Sequence, residues 1–308
     1  MMYYFIINPE SRSGSGRKIW ERLLPVIEQN LKMYDVFFTQ YHNHAIEYVS
    51  FITNDISSPI TIVVLGGDGT LNEVINGIKQ AEYVTLGYIP TGSSNDFARS
   101  LGITKNPPKN LEIILKPSAF KILDCGEAVA PGKDPRRFCV SCGIGFDASI
   151  THEALSSPWK ARLNSIRLGK LTYVFIALKQ IIKLKKTNAL LSVDGGKPIP
   201  VKKMVFMSTH IHRYEGGGFA FTPKADPEDG LLDICVISNM SRLKMLCLFP
   251  MAFSGKHIRF KGVDIYRCKK AVIQAKTPLT VHTDGETYGF EKQLNLTCKH
   301  QAIKIIVG

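Results

Sequence analysis

The sequence predicts an α/β domain built on a doubly wound, mostly parallel sheet, followed by an antiparallel β-sandwich domain. Three observations carry that expectation. The stretch from Ile60 to Ile78, ITIVVLGGDGTLNEVINGI, reads as a buried strand, a glycine turn and a helix in direct succession. Strand and helix patterns alternate through about residue 120, the pattern of a parallel sheet with helices on both faces. Beyond the turn at Lys116, Pro117 and Ser118, short strands follow one another with few helices between them, as in a sandwich.

In the first domain, Met2 to Asn8 forms a strand, and the loop NPESRSGSGRK leads to a helix from Ile19 to Asn30. Arg12, Arg17 and Lys18 make this loop a candidate phosphate contact, although Gly-Ser loops also serve as plain linkers. Tyr34 to Thr39 predicts a strand and His44 to Thr53 a helix. In the central stretch, Leu71, Val74, Ile75 and Ile78 recur at i, i+3, i+4 and i+7, so one helix face packs on the sheet. Gly66, Gly67 and Gly69 let backbone amides approach a ligand, and the helix N-terminus adds partial positive charge. The combination favours a phosphate. Asp68 inside that cradle calls for Mg²⁺ or a reacting hydroxyl between the charges; a tight turn with a turn-forming Asp is the plainer reading. Val84 to Ile89 is the next strand. It ends in PTGSSNDFARSLGI, where Ser93, Ser94 and Asn95 are polar and Asp96 can cap a short helix. All three polar loops follow strands, so they should gather on one rim, beyond the carboxyl ends.

In the second domain, strands are expected at Lys121 to Ala130, Arg137 to Cys142, Ala189 to Val193, Lys203 to Thr209, Leu231 to Ile237, Lys270 to Ala275 and Leu279 to His282, with a helix near Leu243 to Ala252. Two acidic constellations occur here. PKADPEDGLLDI sets Asp226 and Asp229 three apart in a turn where two carboxylates and a carbonyl can converge on a hard cation, or simply face solvent. HTDGETYGF puts Asp284 and Glu286 around Gly285, as a close approach to a ligand or as a hairpin turn.

Bulk composition narrows the function. The formal charge of +13 favours a polyanionic partner. No acidic residue lies between Glu153 and Asp194, whereas Lys160, Arg162, Arg167, Lys170, Lys179, Lys183, Lys185 and Lys186 do, around the apolar stretch LTYVFIALKQIIKL. Basic residues beside apolar ones suit an anionic membrane surface, and equally a core helix with solvated lysines at its edges. No zinc-finger, RNA-recognition or helix-turn-helix pattern supports nucleic-acid binding. The apolar run Met245 to Phe253 is too short to span a bilayer. The start lacks a basic n-region, and seven cysteines with no paired framework, Cys139 and Cys142 forming a single Cys-x-x-Cys, fit a reducing compartment. A cytoplasmic, peripherally membrane-associated protein is expected.

Taken in order, Asn8-Pro9, GGDGTLNEVINGI, PTGSSNDFARSLGI, the GGGF of Gly216 to Phe219, PKADPEDGLLD and the DGE of Asp284 to Glu286 resemble the diacylglycerol kinase catalytic-domain family, in particular its soluble, bacterial-type two-domain lipid kinases. NAD kinases and phosphofructokinases share loops like GGDGT, but not the later motifs. The resemblance implies a nucleotide-binding kinase domain over residues 1–120, a β-sandwich lipid-binding domain over 121–290, and C-terminal strands over 291–308 that pack back toward the first domain, with catalysis in the cleft between domains. It implies ATP contacts from Asn8, Pro9, Glu10, Ser11, Arg12, Thr39, Gly66, Gly67, Asp68, Gly69, Thr70, Leu71, Asn72 and Ser93. Asp68 would hold a catalytic Mg²⁺. Asp226, Asp229 and the carbonyl of Leu231 would bind a structural Mg²⁺. Asp284, with Glu286 beside it, would take the proton from the lipid hydroxyl as it attacks the γ-phosphate. Diacylglycerol is the default lipid substrate. A kinase of a soluble acceptor and a non-enzymatic nucleotide- and membrane-binding protein are the alternatives, and a homodimer through exposed strand edges is open. The chain departs from the family at Arg12, where glycine is common.

Overall fold

The computed structural model describes residues 2–146, 148–149, 181 and 185–308. The basic, apolar-rich segment discussed above lies almost wholly outside these residues. The chain divides into two compact units, residues 1–123 with 301–308, and residues 124–300.

In the first unit, β1 (Met2–Ile7), β2 (Tyr34–Phe38), β3 (Ile60–Gly66) and β4 (Val84–Pro90) form a parallel sheet in the order β2-β1-β3-β4. The end of a long strand, β13 (Glu286–Ile306), adds Lys304 and Ile305 in parallel beside β4. Every residue of β3 and β4 is buried, which explains why their sequences run continuously apolar rather than alternating. Phe5, Ile7, Val63 and Leu65 share a core with Trp20, Leu23 and Ile27 of α1 (Ser11–Asn30) and with Leu111 and Ile114 of α5 (Pro107–Leu115). The alternate strand residues Ile6, Ile62 and Val64 are equally buried and point to the opposite face. Packed against each other are α2 (His44–Ile52) and α3 (Asp68–Gly77). From β1 the chain winds outward to β2, then crosses back to β3 on the other side. The switch point therefore lies between the carboxyl ends of β1 and β3, where open parallel sheets bind ligands.

The start of α1 corrects one expectation. It begins at Ser11 rather than Ile19, so only Asn8, Pro9 and Glu10 remain as loop. Arg12 and Gly14 have φ of 53° and 82°, and an ideal Cβ on Gly16 would lie 2.1 Å from the Asn8 carbonyl. The Gly-Ser run is thus a tightly wound first turn and not a linker.

The second unit is antiparallel throughout its named pairings. Its strands are β5 (Phe120–Val129, entering from the first unit), β6 (Arg136–Phe138), β7 (Ser141–Gly145), β8 (Thr187–Val193), β9 (Ile199–His210), β10 (Leu232–Ser238), β11 (Val263–Cys268), β12 (Lys270–Thr283) and the first part of β13. A helix, α6 (Arg242–Ala252), is capped by the Ser241 side chain. Three sequence expectations change here. The stretches at Lys270 and Leu279 are one strand, with a register shift between Gln274 and Leu279. Arg137 to Cys142 is two strands, and β11 carries no signal strong enough to be expected. Residues on alternating positions of β10 feed separate cores: Ile234 and Val236 join one, Cys235 and Ile237 the other.

Candidate active site

The three loops of the first unit gather at the carboxyl ends of their strands and are laced together. The Asn8 side chain donates to Thr70 Oγ1 at 3.0 Å, and its backbone N–H donates to the Leu65 carbonyl at 2.9 Å. Ser11 Oγ and Thr91 Oγ1 lie 2.7 Å apart, and Thr91 N–H donates to the Gly66 carbonyl at 2.8 Å. Gly67 and Gly92 face each other so closely that a Cβ on Gly67 would lie 3.2 Å from the Gly92 Cα. Glycine is needed at this crossing because the two backbones nearly touch. Thr39 follows β2 on the same rim, its N–H bonded to the Ile7 carbonyl, and Ser93 is exposed on the third loop.

Asp68 opens α3, and its carboxylate reaches across to the third loop. Oδ2 accepts the Asp96 N–H at 3.1 Å and Oδ1 the Phe97 N–H at 3.4 Å. The expected cap is therefore supplied from another loop: Asp96 is the first residue of α4 (Asp96–Leu101), Asn95 stands at the cap position with φ 51°, and no side chain of its own loop caps the helix. Beneath the pair, Tyr88 of β4 is fully buried and meets Phe97 edge-on at 6.0 Å. Burial, and then the nearby Asp68 and Asp96 charges, push its phenol well above the ordinary range.

In the second unit, Asp284 and Gly285 are the two-residue turn between β12 and β13, with φ of 49° and 84°. Such a turn matches the twist of the paired strands. The Asp284 carboxylate is committed to backbone amides: Oδ2 accepts from Cys139 at 2.7 Å, and Oδ1 from Val140 at 2.8 Å and Ser141 at 2.9 Å. Glu286 begins β13, half-buried.

Beneath that turn lies a cluster the sequence reading missed. Gly216, Gly217 and Gly218 all have positive φ, of 60°, 87° and 120°, and fold back so that Glu215 and Phe219 exchange backbone hydrogen bonds. The turn aims Glu215 inward. Its Oε1 is 3.2 Å from His282 Nε2 and its Oε2 is 3.3 Å from His210 Nε2, while Ser208 Oγ donates to Oε2 at 3.0 Å. The Gly285 N–H donates to His282 Nδ1 at 3.2 Å, so Nδ1 is an acceptor and Nε2 carries the proton. Burial pushes the Glu215 carboxyl up, but the His282 hydrogen bond and the charge of His210 outweigh it, and the value falls to about 2. The available signal was position: His282 lies two residues before Asp284 on one strand, and Glu215 directly precedes the glycine triplet.

The acidic turn is differently occupied from the expectation. Asp229 Oδ1 accepts the Leu231 N–H at 3.0 Å, and its Oδ2 is bound by the Arg267 guanidinium. Arg267 Nε also lies 3.4 Å from Asp233. Asp226 Oδ1 accepts the Glu228 N–H at 3.1 Å. The turn is tied down by buried Asp124, which accepts the Gly230 N–H at 2.6 Å, donates its own N–H to the Pro227 carbonyl at 2.7 Å and pairs with His300 at 2.7 Å. A structural Mg²⁺ on Asp226, Asp229 and Leu231 does not fit this arrangement, because a guanidinium already takes the Asp229 oxygen such a cation would use. Among the described residues, no three His, Cys, Asp or Glu side chains form a metal cluster. A catalytic Mg²⁺ at Asp68 is a different case: the carboxylate stands where the glycine loop meets the third loop, and kinase Mg²⁺ takes one or two carboxylates and completes its shell with phosphate and water.

Loops laced at the switch point of a parallel sheet, at the start of a helix, make a site of the kind that receives phosphate groups. Residues 2–127 match the diacylglycerol kinase catalytic domain, and residues 140–307 match the YegS C-terminal NAD kinase beta sandwich-like domain. The chain belongs to this two-domain diacylglycerol kinase family and is a lipid kinase, with an alcohol group as phosphate acceptor. YtlR of Bacillus subtilis (strain 168), a candidate lipid kinase, is 28% identical over 294 residues, 93% of this chain and 94% of that protein. A diacylglycerol kinase of Mycobacterium tuberculosis (strain CDC 1551 / Oshkosh) is 29% identical over 226 residues, 73% of this chain and 70% of its own. The fold is shared with the crystal structure of a candidate diacylglycerol kinase of Bacillus anthracis str. Sterne, at a TM-score of 0.76 and 22% identity over 99% of this chain and 96% of that one.

Proposed function

We propose that the chain transfers the γ-phosphate of ATP to the free hydroxyl of diacylglycerol at a membrane surface. The observation that carries the reading is the lacing of Asn8 to Thr70, Ser11 to Thr91 and Asp68 to Asp96 at the switch point. ATP lies against Asn8, Pro9, Glu10, Ser11 and Arg12, the Gly66 to Asn72 segment, Thr39 and Ser93. Asp68 holds Mg²⁺, which when bound neutralises charge on the β- and γ-phosphate oxygens. Arg12, with φ 53°, brings a guanidinium to the same loop, where the family resemblance implies glycine. The roles of the two hairpin acids divide. Asp284 anchors the turn, its carboxylate held by three amides, and Glu286 takes the proton from the lipid hydroxyl. Arg267 supplies the positive charge that closes the acidic turn in place of a structural metal.

The test is transfer of labelled phosphate from ATP to lipids dispersed in anionic mixed micelles. Labelled product is expected with diacylglycerol, lost in Glu286→Gln at unchanged melting midpoint. Full activity in Glu286→Gln together with loss in a well-folded Asp284→Asn would return the base to Asp284.

A further inference from the structure

The solvent face of α6 is apolar. Leu243, Leu246, Cys247 and Pro250 recur at i, i+3, i+4 and i+7 and all are exposed, Leu243 by 72% and Leu246 by 40%. Phe253, just past the helix, is 49% exposed and stacks on Phe219 with ring centroids 3.9 Å apart. The opposite face is a core: Met245, Leu248 and Ala252 are buried with Phe206, Phe221 and Ile237. A helix apolar on both faces belongs either inside a protein or at an apolar boundary, and among the described residues this one has a single covered side.

The charges around it say what the boundary is. From Ile234 to Val263 the sequence holds Arg242, Lys244, Lys256, Arg259 and Lys261, every one exposed, and no acidic residue. An isologous contact between two copies would bring these cations against their own equivalents, which opposes it. Anionic lipid complements them, while leucine and phenylalanine enter the acyl boundary. We infer that α6 and the turn after it dock this lipid kinase on an anionic phospholipid surface, with Leu243, Leu246 and Phe253 inserted and Arg242 and Lys244 at headgroup level. The inference rests on the lipid-kinase reading for its purpose, but not for its measurement.

The full chain is sedimented with vesicles of phosphatidylcholine alone and of equimolar phosphatidylcholine and phosphatidylglycerol. Wild type should bind the anionic vesicles and release at high salt. Leu243→Glu with Leu246→Glu should lose binding by about tenfold or more, since two buried leucines are removed, and Arg242→Gln with Lys244→Gln by roughly tenfold. Both pairs should keep the wild-type melting midpoint and wild-type turnover on a short-chain diacylglycerol dissolved as monomer. If the leucine variant binds anionic vesicles as wild type does, the docking face is wrong even where phosphate transfer is normal. If wild type is a dimer that the leucine variant dissociates, the face is an interface between copies and the inference fails. Should no lipid be phosphorylated while the vesicle pattern holds, docking stands and the kinase reading falls.

Discussion

The carboxylate of Asp68 accepts the backbone N–H of Asp96 at 3.1 Å, joining the first turn of one helix to the first turn of another 28 residues on. A charged acceptor satisfies an otherwise orphaned helix amide. The same carboxylate is the one we propose to hold Mg²⁺. Two roles on one side chain predict two separable losses. Asp68→Asn keeps an acceptor oxygen for Asp96 but removes the charge. Phosphate transfer should fall by about a hundredfold or more, while the melting midpoint drops by only a few degrees, roughly the worth of a charge-assisted bond. Activity near wild type, measured with saturating ATP and Mg²⁺, would leave Asp68 as a cap alone.

The buried Glu215 beneath the Asp284–Gly285 turn makes an acid-stability prediction. Its folded value, about 2, lies below the ordinary 4.5. A depressed carboxyl contributes stability above its unfolded value and loses it as pH falls toward the folded one. Wild type should therefore lose stability between about pH 5 and about pH 2 partly through Glu215. Glu215→Gln, which ends the charge but keeps the size, should start less stable at neutral pH and show a shallower slope across that window. Denaturant unfolding at a series of pH values checks it. Equal slopes in the two proteins would mean that the histidines do not hold the charge.

How much of this was legible in the sequence follows from the range of each contact. The GGDGT and PTGSSNDFAR loops could be read because turn chemistry and helix phase are local. Their mutual grip could not, since Asp68 meets Asp96 and Gly67 meets Gly92 only when β3 and β4 lie side by side. Asp284 was visible as a chemical residue, but the amides of Cys139 to Ser141 that hold its carboxylate come from far back along the chain. The start of α1 was misread because glycine and serine signal a loop wherever tertiary packing is unseen. Here Gly16 is demanded by the Asn8 carbonyl against it. For Asp229, spacing allowed a cation but could not say that the cation is Arg267.

That guanidinium yields a metal prediction. Chelation by EDTA should leave the melting midpoint unchanged, and Arg267→Ala should lower stability by about 1 to 2 kcal/mol, a modest figure because Arg267 is half exposed. The loss should depend on pH. Burial raises the carboxyl of Asp233, which Arg267 opposes, so that acid costs stability once ionised and costs more without its partner. The Arg267→Ala deficit should be larger at neutral pH than below about pH 4. A large drop in midpoint on chelation of the wild type would restore a structural metal to the turn.

His257 offers the last test, in the range near neutrality. The ring is fully buried, with Nε2 3.1 Å from the Phe221 carbonyl and 4.0 Å from Cys235 Sγ. Burial lowers its value below 6.5, the Phe221 carbonyl opposes that, and the charge of His210 adds to it. A histidine depressed in the fold stays neutral where the unfolded chain takes up a proton, so stability is complete above the unfolded value and is lost as pH falls through it. Wild type should weaken as pH drops from about 7.5 to about 5.5. In His257→Gln the amide can still donate to Phe221 but cannot titrate, and the decline over this window should flatten, at the cost of a lower stability near pH 7.5 from imperfect packing. Unfolding free energies from urea titrations at matched ionic strength decide it. A decline as steep in the variant as in wild type would assign the sensitivity to another group.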